Sequence, residues 1–347
     1  MGNKHTAYDL KQMQSLPLDI KIRMTKERIR QWYEYWDGQV YVSFSGGKDS
    51  TVLKHIVDSM YDDVPAVFVN PGLEYPEIQK FAMSQKNVVT VRPEMRFDEV
   101  IKKYGYPVVS KEVAQTVCEA KKNAQTGKYI YRIKKLNGEL IGKNGKPSTY
   151  NIPQWKFLLD APYDISHKCC DVMKKKPAKT YEKTTGRKAI IGTLASESTL
   201  RKTQWVRYGC NAFESKRPTS QALSFWTEQD ILHYLKQFDV PYCSVYGEIV
   251  LVDDGEQFEG QLTTFDVLND YDGTLLKTTG CDRTGCIFCM FGCHLEKEPN
   301  RFQRLKETHP RQYEYCIGGG EMVDGKWQPS KEGLGLGKVL DYINVKY

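Results

Sequence analysis

Hydrophobic positions along this 347-residue chain follow two rhythms. Within residues 19–37, Ile22, Ile29, Trp32, Tyr33 and Trp36 recur near helical spacing and the pattern stops at Gly38, which predicts a helix packed beside the first strand. Short apolar runs at 41–44, 66–69, 88–92 and 189–194 are bounded by Gly, Pro, Asn or Ser and read as strands. Between them, residues 51–57 and the stretch opening Pro76-Glu77-Ile78 carry helical spacing. Residues 222–225 read as a further strand. Thr227 followed by Asp230 reads as the N-cap of a helix whose apolar face holds Ile231, Leu232 and Leu235. Strands alternating with helices predict an α/β fold: a mostly parallel twisted sheet covered by helices on both faces, with ligands beyond the carboxyl ends of the strands.

Two regions depart from this rhythm. Between about 105 and 153 the pattern loosens. Residues 111–122 read as helix, and Asn137-Gly138 with Asn144-Gly145 mark a hairpin, so the stretch reads as an insertion. After residue 246 the chain becomes cysteine-rich, then carries a charged helix over 301–315, Gly318-Gly319-Gly320, a second glycine run at 333–337 and a last helix over 338–343. Glycine around short elements suits a mobile flap or a linker. The expected organisation is a helical segment over 1–38, a nucleotide-binding α/β domain over 39–245 and a cysteine-rich region over 246–347.

Composition changes little in this picture: 40% hydrophobic and 27% charged residues are ordinary for a soluble globular protein. No apolar stretch approaches the roughly 20 residues that span a bilayer, and no charged-then-apolar leader opens the chain, so a cytoplasmic location away from any membrane is expected. The formal charge of +7 suits anionic ligands. Basic residues cluster over 121–146, interleaved with Tyr129 and Tyr131, as a solvated hairpin or a grip on a phosphate backbone. Ten cysteines without an export signal point to metal ligation or thiol chemistry rather than a disulfide framework.

The first strand ends in Ser45-Gly46-Gly47-Lys48-Asp49-Ser50 and a helix follows at Thr51. Two glycines let backbone N–H groups converge on an anion, the helix offers its unpaired N–H groups, and Lys48 adds a mobile charge. Ser45, Ser50 and Thr51 contribute hydroxyls. Asn70, Gly72 and Glu74, at the break after the second strand, would stand beside this loop. The spacing differs from G-x-x-x-x-G-K-[ST] and looks like the PP-loop of the ATP pyrophosphatases, which cleave ATP between the α and β phosphates. A glycine turn that merely ends a core strand is the competing reading.

Cys286 and Cys289 form a C-x-x-C pair flanked by Gly285 and Gly292. Two such thiolates are half of a four-coordinate site, for zinc or an iron–sulfur cluster. Cys281 and Cys293 would complete a local quartet. Alternatively, the adjacent Cys169 and Cys170 complete it, and a cubane accepts neighbouring side chains more readily than zinc does. Cys210 is a third candidate, whereas Cys118 and Cys243 read as small apolar residues.

From about residue 39 to 295 the chain resembles the phosphoadenosine-phosphosulfate reductase family of PP-loop proteins. The resemblance rests on the loop at 45–50, Lys168-Cys169-Cys170-Asp171 with the basic run at 174–176, Gly192-Thr193-Leu194-Ala195-Ser196-Glu197-Ser198 with Arg201, and Arg283-Thr284-Gly285-Cys286-Ile287-Phe288-Cys289. It implies that Cys169, Cys170, Cys286 and Cys289 bind one [4Fe-4S] cluster, and that Gly192 joins Ser45, Gly46, Gly47, Lys48, Asp49, Ser50 and Thr51 around ATP and Mg2+. Lys48, Asp49 and Arg201 would be catalytic, with Lys202 beside them. Two departures stand out. The Glu-Cys-Gly-x-His segment of sulfonucleotide reductases does not occur in these residues, Cys316 sitting in Tyr315-Cys316-Ile317-Gly318. The loop is also intact, where reductases tend to have a degenerate one. The combination resembles the family's ATP-using relatives, which adenylylate a substrate for sulfur transfer; sulfonucleotide reduction to sulfite is the alternative. Candidate partners are a nucleotide, an unidentified substrate, a sulfur or thiol donor protein, nucleic acid and a second copy of the chain.

Overall fold

The computed structural model describes residues 3–128, 130–252 and 274–347. They fall into two compact units interleaved along the chain. The first comprises Met1–Asn70, Glu74–Arg92 and Pro177–Thr284, and the second Pro71–Leu73, Pro93–Lys176 and Gly285–Tyr347. Because packing rather than chain order defines a unit, these boundaries fall elsewhere than at 38 and 245. The predicted insertion shares a unit with residues 285–347, while the start of the predicted cysteine-rich region, through Thr284, belongs to the first unit.

The first unit is built on a six-stranded sheet in the order Val88–Val91, Ala66–Val69, Val40–Phe44, Lys188–Ile191, Thr219–Ser220, Asn211–Ala212. All neighbours are parallel except the last pair, which is antiparallel. This is the expected α/β sheet. Its pleat assigns the core residue by residue. Val40, Val42, Phe44, Ala66, Phe68 and Ile190 join the main apolar cluster on one face. Tyr41, Val67 and Ala189 pack with Tyr181 on the other. The main cluster also takes Ile29 and Trp32 from the helix Leu18–Tyr35, and Val52, Leu53, Ile56 and Val57 from the helix Lys48–Asp58.

Three local expectations are corrected. Residues 222–225 are a buried turn: Ser224 N–H donates to the Gln221 carbonyl at 3.0 Å and Trp226 N–H to that of Leu223 at 2.9 Å. An apolar run shows burial, and burial alone does not reveal whether a ladder partner exists. Of the two pairs that marked a hairpin, Asn137-Gly138 ends a helix, Ile130–Asn137, while Asn144-Gly145 does turn the chain back, with an antiparallel bridge between Ile141 and Pro147. The charged helix splits into Arg301–Thr308 and Pro310–Ile317, since Pro310 drives the residue before it out of helical geometry.

The second unit is mostly helical, with Phe97–Tyr104, Lys111–Thr126 and Ile130–Asn137 in its first half and Leu336–Tyr342 at its end. Parallel pairing of Val108–Val109 with Met290–Phe291 ties its two halves together.

A fully buried ion pair organises the first unit. Lys21 Nζ lies 2.7 Å from Asp230 Oδ2, and neither side chain is exposed. Asp230 also accepts the Thr227 N–H at 2.6 Å, completing the capping box legible in the sequence for the helix Glu228–Gln237. Removing one member leaves an uncompensated charge in the core. Lys21→Met is therefore expected to cost about 3–5 kcal/mol, read as a lowered urea midpoint; a loss below about 1 kcal/mol would show that the pair is not desolvated as described.

Candidate functional site

Chain order builds the site. From Val40–Phe44 the chain moves outward through two strands on one side, then returns to add Lys188–Ile191 on the other. The carboxyl ends of these two adjacent strands lie side by side, and ligands of open α/β sheets bind beyond such ends. Ser45–Ser50 follows one strand and Gly192–Arg201 the other.

The loop at 45–50 is tied to itself. Ser45 N–H donates to Ser50 Oγ at 3.2 Å, while Ser50 Oγ and Thr51 Oγ1 both donate to the Gly47 carbonyl, at 2.9 and 3.0 Å. Gly46 has φ +75°, and a Cβ there would meet the Ile78 carbonyl at 3.2 Å, so only glycine suits this turn. Gly192 is needed for a different reason: its Cβ would stand 3.0 Å from the Asp49 carbonyl oxygen. The helix Lys48–Asp58 has no side-chain N-cap from Gly47, and its first N–H, of Lys48, donates to the Tyr246 hydroxyl at 3.4 Å.

A cavity of about 880 Å³ opens over this loop and is lined by Ser45, Gly47, Lys48, Asp49, Ser50, Gly192 and Arg201 among others. Its remaining charges are Lys277 and Arg283 as cations and Glu197, Glu228 and Asp282 as anions. Lys48 is nearly buried and pairs with Glu228 at 3.0 Å, its ammonium 5.1 Å from the centre of the Tyr246 ring. Arg201 and Arg283 both grip Glu197. Burial pushes the Asp49 carboxyl up to about 6 and Glu228 pushes the same way, against the pull of Lys48, Arg283 and Arg201. The site is thus a polar, charge-balanced crevice in which Lys48, Arg201 and Arg283 are held by carboxylates.

Not every expected residue lines this cavity. Gly46 and Thr51 shape the loop from behind. Asn70 is buried at the end of its strand, with its side-chain amide donating to Gln79 Oε1 at 3.3 Å, and the Glu74 carbonyl accepts from Gln79 Nε2 at 3.0 Å. Gly72 belongs to the second unit, in a turn at φ +70°. Sequence reasoning did not single out Glu228, Tyr246 or Lys277 as pocket residues. Glu228 carried a faint signal, standing just after a capping threonine at the start of a helix; Tyr246 carried none.

In the second unit, Cys169 and Cys170 precede a single π turn, Asp171–Lys175, a distortion that recurs at functional sites. Its neighbour Cys169, with Lys111 and Lys174 nearby, pulls Cys170 below the ordinary thiol range despite burial. Cys170, burial, Cys286 and Cys289 push Cys169 upward, so the C-x-x-C pair lies within electrostatic reach of the adjacent pair. Burial raises Cys289, with the Phe291 N–H and Arg301 opposing. The other candidate cysteines have different surroundings. Cys293 is buried and donates to the Met290 carbonyl at 3.0 Å, burial raising it to about 11, and Cys210 belongs to the apolar core of the first unit. Cys281 also belongs to the first unit. Among the described residues, no group of three or more His, Cys, Asp or Glu is arranged to hold a metal ion. Also among them, no helix is long and apolar enough to cross a membrane.

A glycine loop at the carboxyl end of a parallel strand, leading directly into a helix, marks the first unit as a PP-loop-like α/β domain. Residues 39–143 and 141–291 match the model of the phosphoadenosine phosphosulfate reductase domain, and the chain belongs to that family. A stretch of 117 residues is 28% identical to an uncharacterized protein of Methanocaldococcus jannaschii, spanning 32% of this chain and 28% of that protein. Among solved structures, the phosphate complex of a phosphoadenylyl-sulfate reductase from Candida auris overlays with a TM-score of 0.35 at 14% identity, over 63% of this chain and 82% of that one.

The raised Asp49 has a stability consequence. The native protein binds its proton more tightly than the unfolded chain does, so ionised Asp49 weakens the fold above about pH 6, and the penalty is gone below the carboxyl's ordinary value. Asp49→Asn is expected to raise the urea midpoint in EDTA at pH 8, with the gain shrinking as pH falls from 6 to 4. A gain independent of pH, or a loss at pH 8, would contradict this environment.

Proposed function

We propose that the first unit binds ATP with Mg2+ and cleaves it between the α and β phosphates, adenylylating a substrate. The observation that carries this reading is the intact loop at 45–50, leading into a helix N-terminus beneath a cavity that holds Lys48, Arg201 and Arg283. The β and γ phosphates would lie on the loop amides and the hydroxyls of Ser45 and Ser50. Lys48 would exchange Glu228 for phosphate oxygens. A substrate oxygen attacks the α phosphorus, the bond to the bridging oxygen breaks, and pyrophosphate leaves with the electron pair. Arg201 and Arg283 face the growing charge, which fixed dipoles and cations stabilise best in a site screened from water. Asp49 would orient the loop or assist the metal.

Two adjacent thiols and a C-x-x-C pair within electrostatic reach of them, one disposed to ionise beside Lys111 and Lys174, are the type of donor an iron–sulfur cluster takes, although they do not stand as a preformed metal group. Cys169, Cys170, Cys286 and Cys289 would hold it. When bound, a cluster supplies a sulfur-carrying or electron-carrying centre, which suits sulfur transfer to an adenylylated substrate. The reductase alternative lacks support from Cys316: this side chain has no exposure and burial holds it as a thiol.

Incubation with ATP and Mg2+ should release AMP and pyrophosphate, and Lys48→Met should slow the release by about 100-fold or more. Release of ADP and phosphate, or no turnover with any acceptor, would remove the proposal. After anaerobic purification, iron and sulfide should accompany the protein and fall in Cys170→Ser and Cys286→Ser; zinc in their place would replace the cluster.

A further inference from the structure

The charge of this protein is unevenly placed. Of 50 Lys and Arg and 43 Asp and Glu in the chain, residues 121–150 hold eight and one, so this stretch alone carries the whole excess of +7 and the remainder balances. Its only acidic residue is Glu139. The stretch lies within the second unit and takes no part in the nucleotide cavity or the cysteine cluster described above.

The surface is built rather than floppy. Asn151 pins the loop that follows the helix Ile130–Asn137: its amide donates to the carbonyls of Gly138 and Leu140, both at 3.0 Å, and its oxygen accepts the Leu140 N–H at 3.1 Å. Gly142 N–H donates to the Lys146 carbonyl at 2.8 Å, and Ser148 N–H to that of Leu140 at 2.8 Å. Lys134, Lys143 and Lys146 are exposed. So are two aromatic rings, Tyr131 at 54% and Tyr150 at 68%. Tyr131 and Lys135 are one helical turn apart on the same face. The Lys135 ammonium, buried and paired with Glu112, lies 6.0 Å from the centre of the Tyr150 ring, which ties the exposed ring to this helix. Arg132 stands 5.9 Å from the Tyr131 ring. The acidic groups packed against the helix are already engaged, Glu112 by Lys135 and Glu119 by Arg132.

We propose that this face binds single-stranded nucleic acid, its lysines following the phosphates and Tyr131 and Tyr150 stacking on unpaired bases. Lysines alone would suit any polyanion, but large exposed rings among them suit bases that are free to stack, which a duplex does not offer. The inference is independent of the ATP reading, since none of these residues lines the nucleotide cavity.

The test is fluorescence anisotropy of the whole protein with labelled 20-nucleotide single strands of RNA and of DNA, the matching duplexes and heparin, over a salt series. Single strands should bind more tightly than duplex, with affinity falling as salt rises. Tyr131→Ala with Tyr150→Ala should weaken single-strand binding by about 10–100-fold, at an unchanged thermal midpoint and ATP turnover, and the corresponding Phe variants should restore it. Lys143→Glu with Lys146→Glu should flatten the salt dependence. The RNA and DNA arms show which strand is preferred. Absence of binding at low salt, equal binding of heparin and duplex, or binding indifferent to the tyrosine variants would each overturn the proposal.

Discussion

Parallel pairing of Val40–Phe44 with Lys188–Ile191 is what makes a pocket here at all. The two strands are far apart in sequence, yet register sets Val40 opposite Lys188 and Ser43 opposite Ile191, so both end at the same level. The loops that follow them, at 45–50 and 192–201, both line the cavity, and the helices they lead into pack on the same face of the sheet, Val52 and Trp205 sharing the main apolar cluster. The pairing also presses Gly192 against the Asp49 backbone, so that any side chain at 192 would force the phosphate loop and its strand apart. A conventional description of the loop as a six-residue motif omits this second strand, without which the loop would face no wall.

Electrostatics in the crevice follow from the same arrangement. Cations gathered in one crevice repel one another, and here three of them are held by carboxylates: Lys48 by Glu228, and Arg201 and Arg283 by Glu197. Such pairs keep the site ordered before a ligand arrives, and they set a desolvation and exchange cost that binding must exceed. Asp49 bears the opposite burden, kept near its protonated range by burial at the foot of the crevice.

The cysteines show how far spacing reaches. The sequence left several quartets open, and the fold gives the candidate cysteines different surroundings. Cys293 spends its S–H on a carbonyl and Cys210 serves the core, while the adjacent pair and the C-x-x-C pair gather in the second unit. Spacing could not decide this, because the Val108–Val109 and Met290–Phe291 pairing that ties the two halves of that unit together is a contact between distant segments.

Local physics was readable in advance. The phosphate loop, the capping box at Thr227 and Asp230, the helix ending at Gly38 and the parallel α/β class each depend on residues within a turn or a strand of one another. The strand assigned to 222–225 failed because an apolar run reports burial and not hydrogen-bond partners, and Asn70 and Glu74 missed the cavity because the direction of a turn is set by what it packs against. Glu228 and Tyr246 reached the loop only by tertiary return of the chain, as did Lys21 to Asp230. The sequence by itself determined the elements and their chemistry, since these rest on short-range sterics and hydrogen bonding. Only the tertiary structure decided which charges meet, because Coulomb pairing and burial depend on distances that no local pattern encodes.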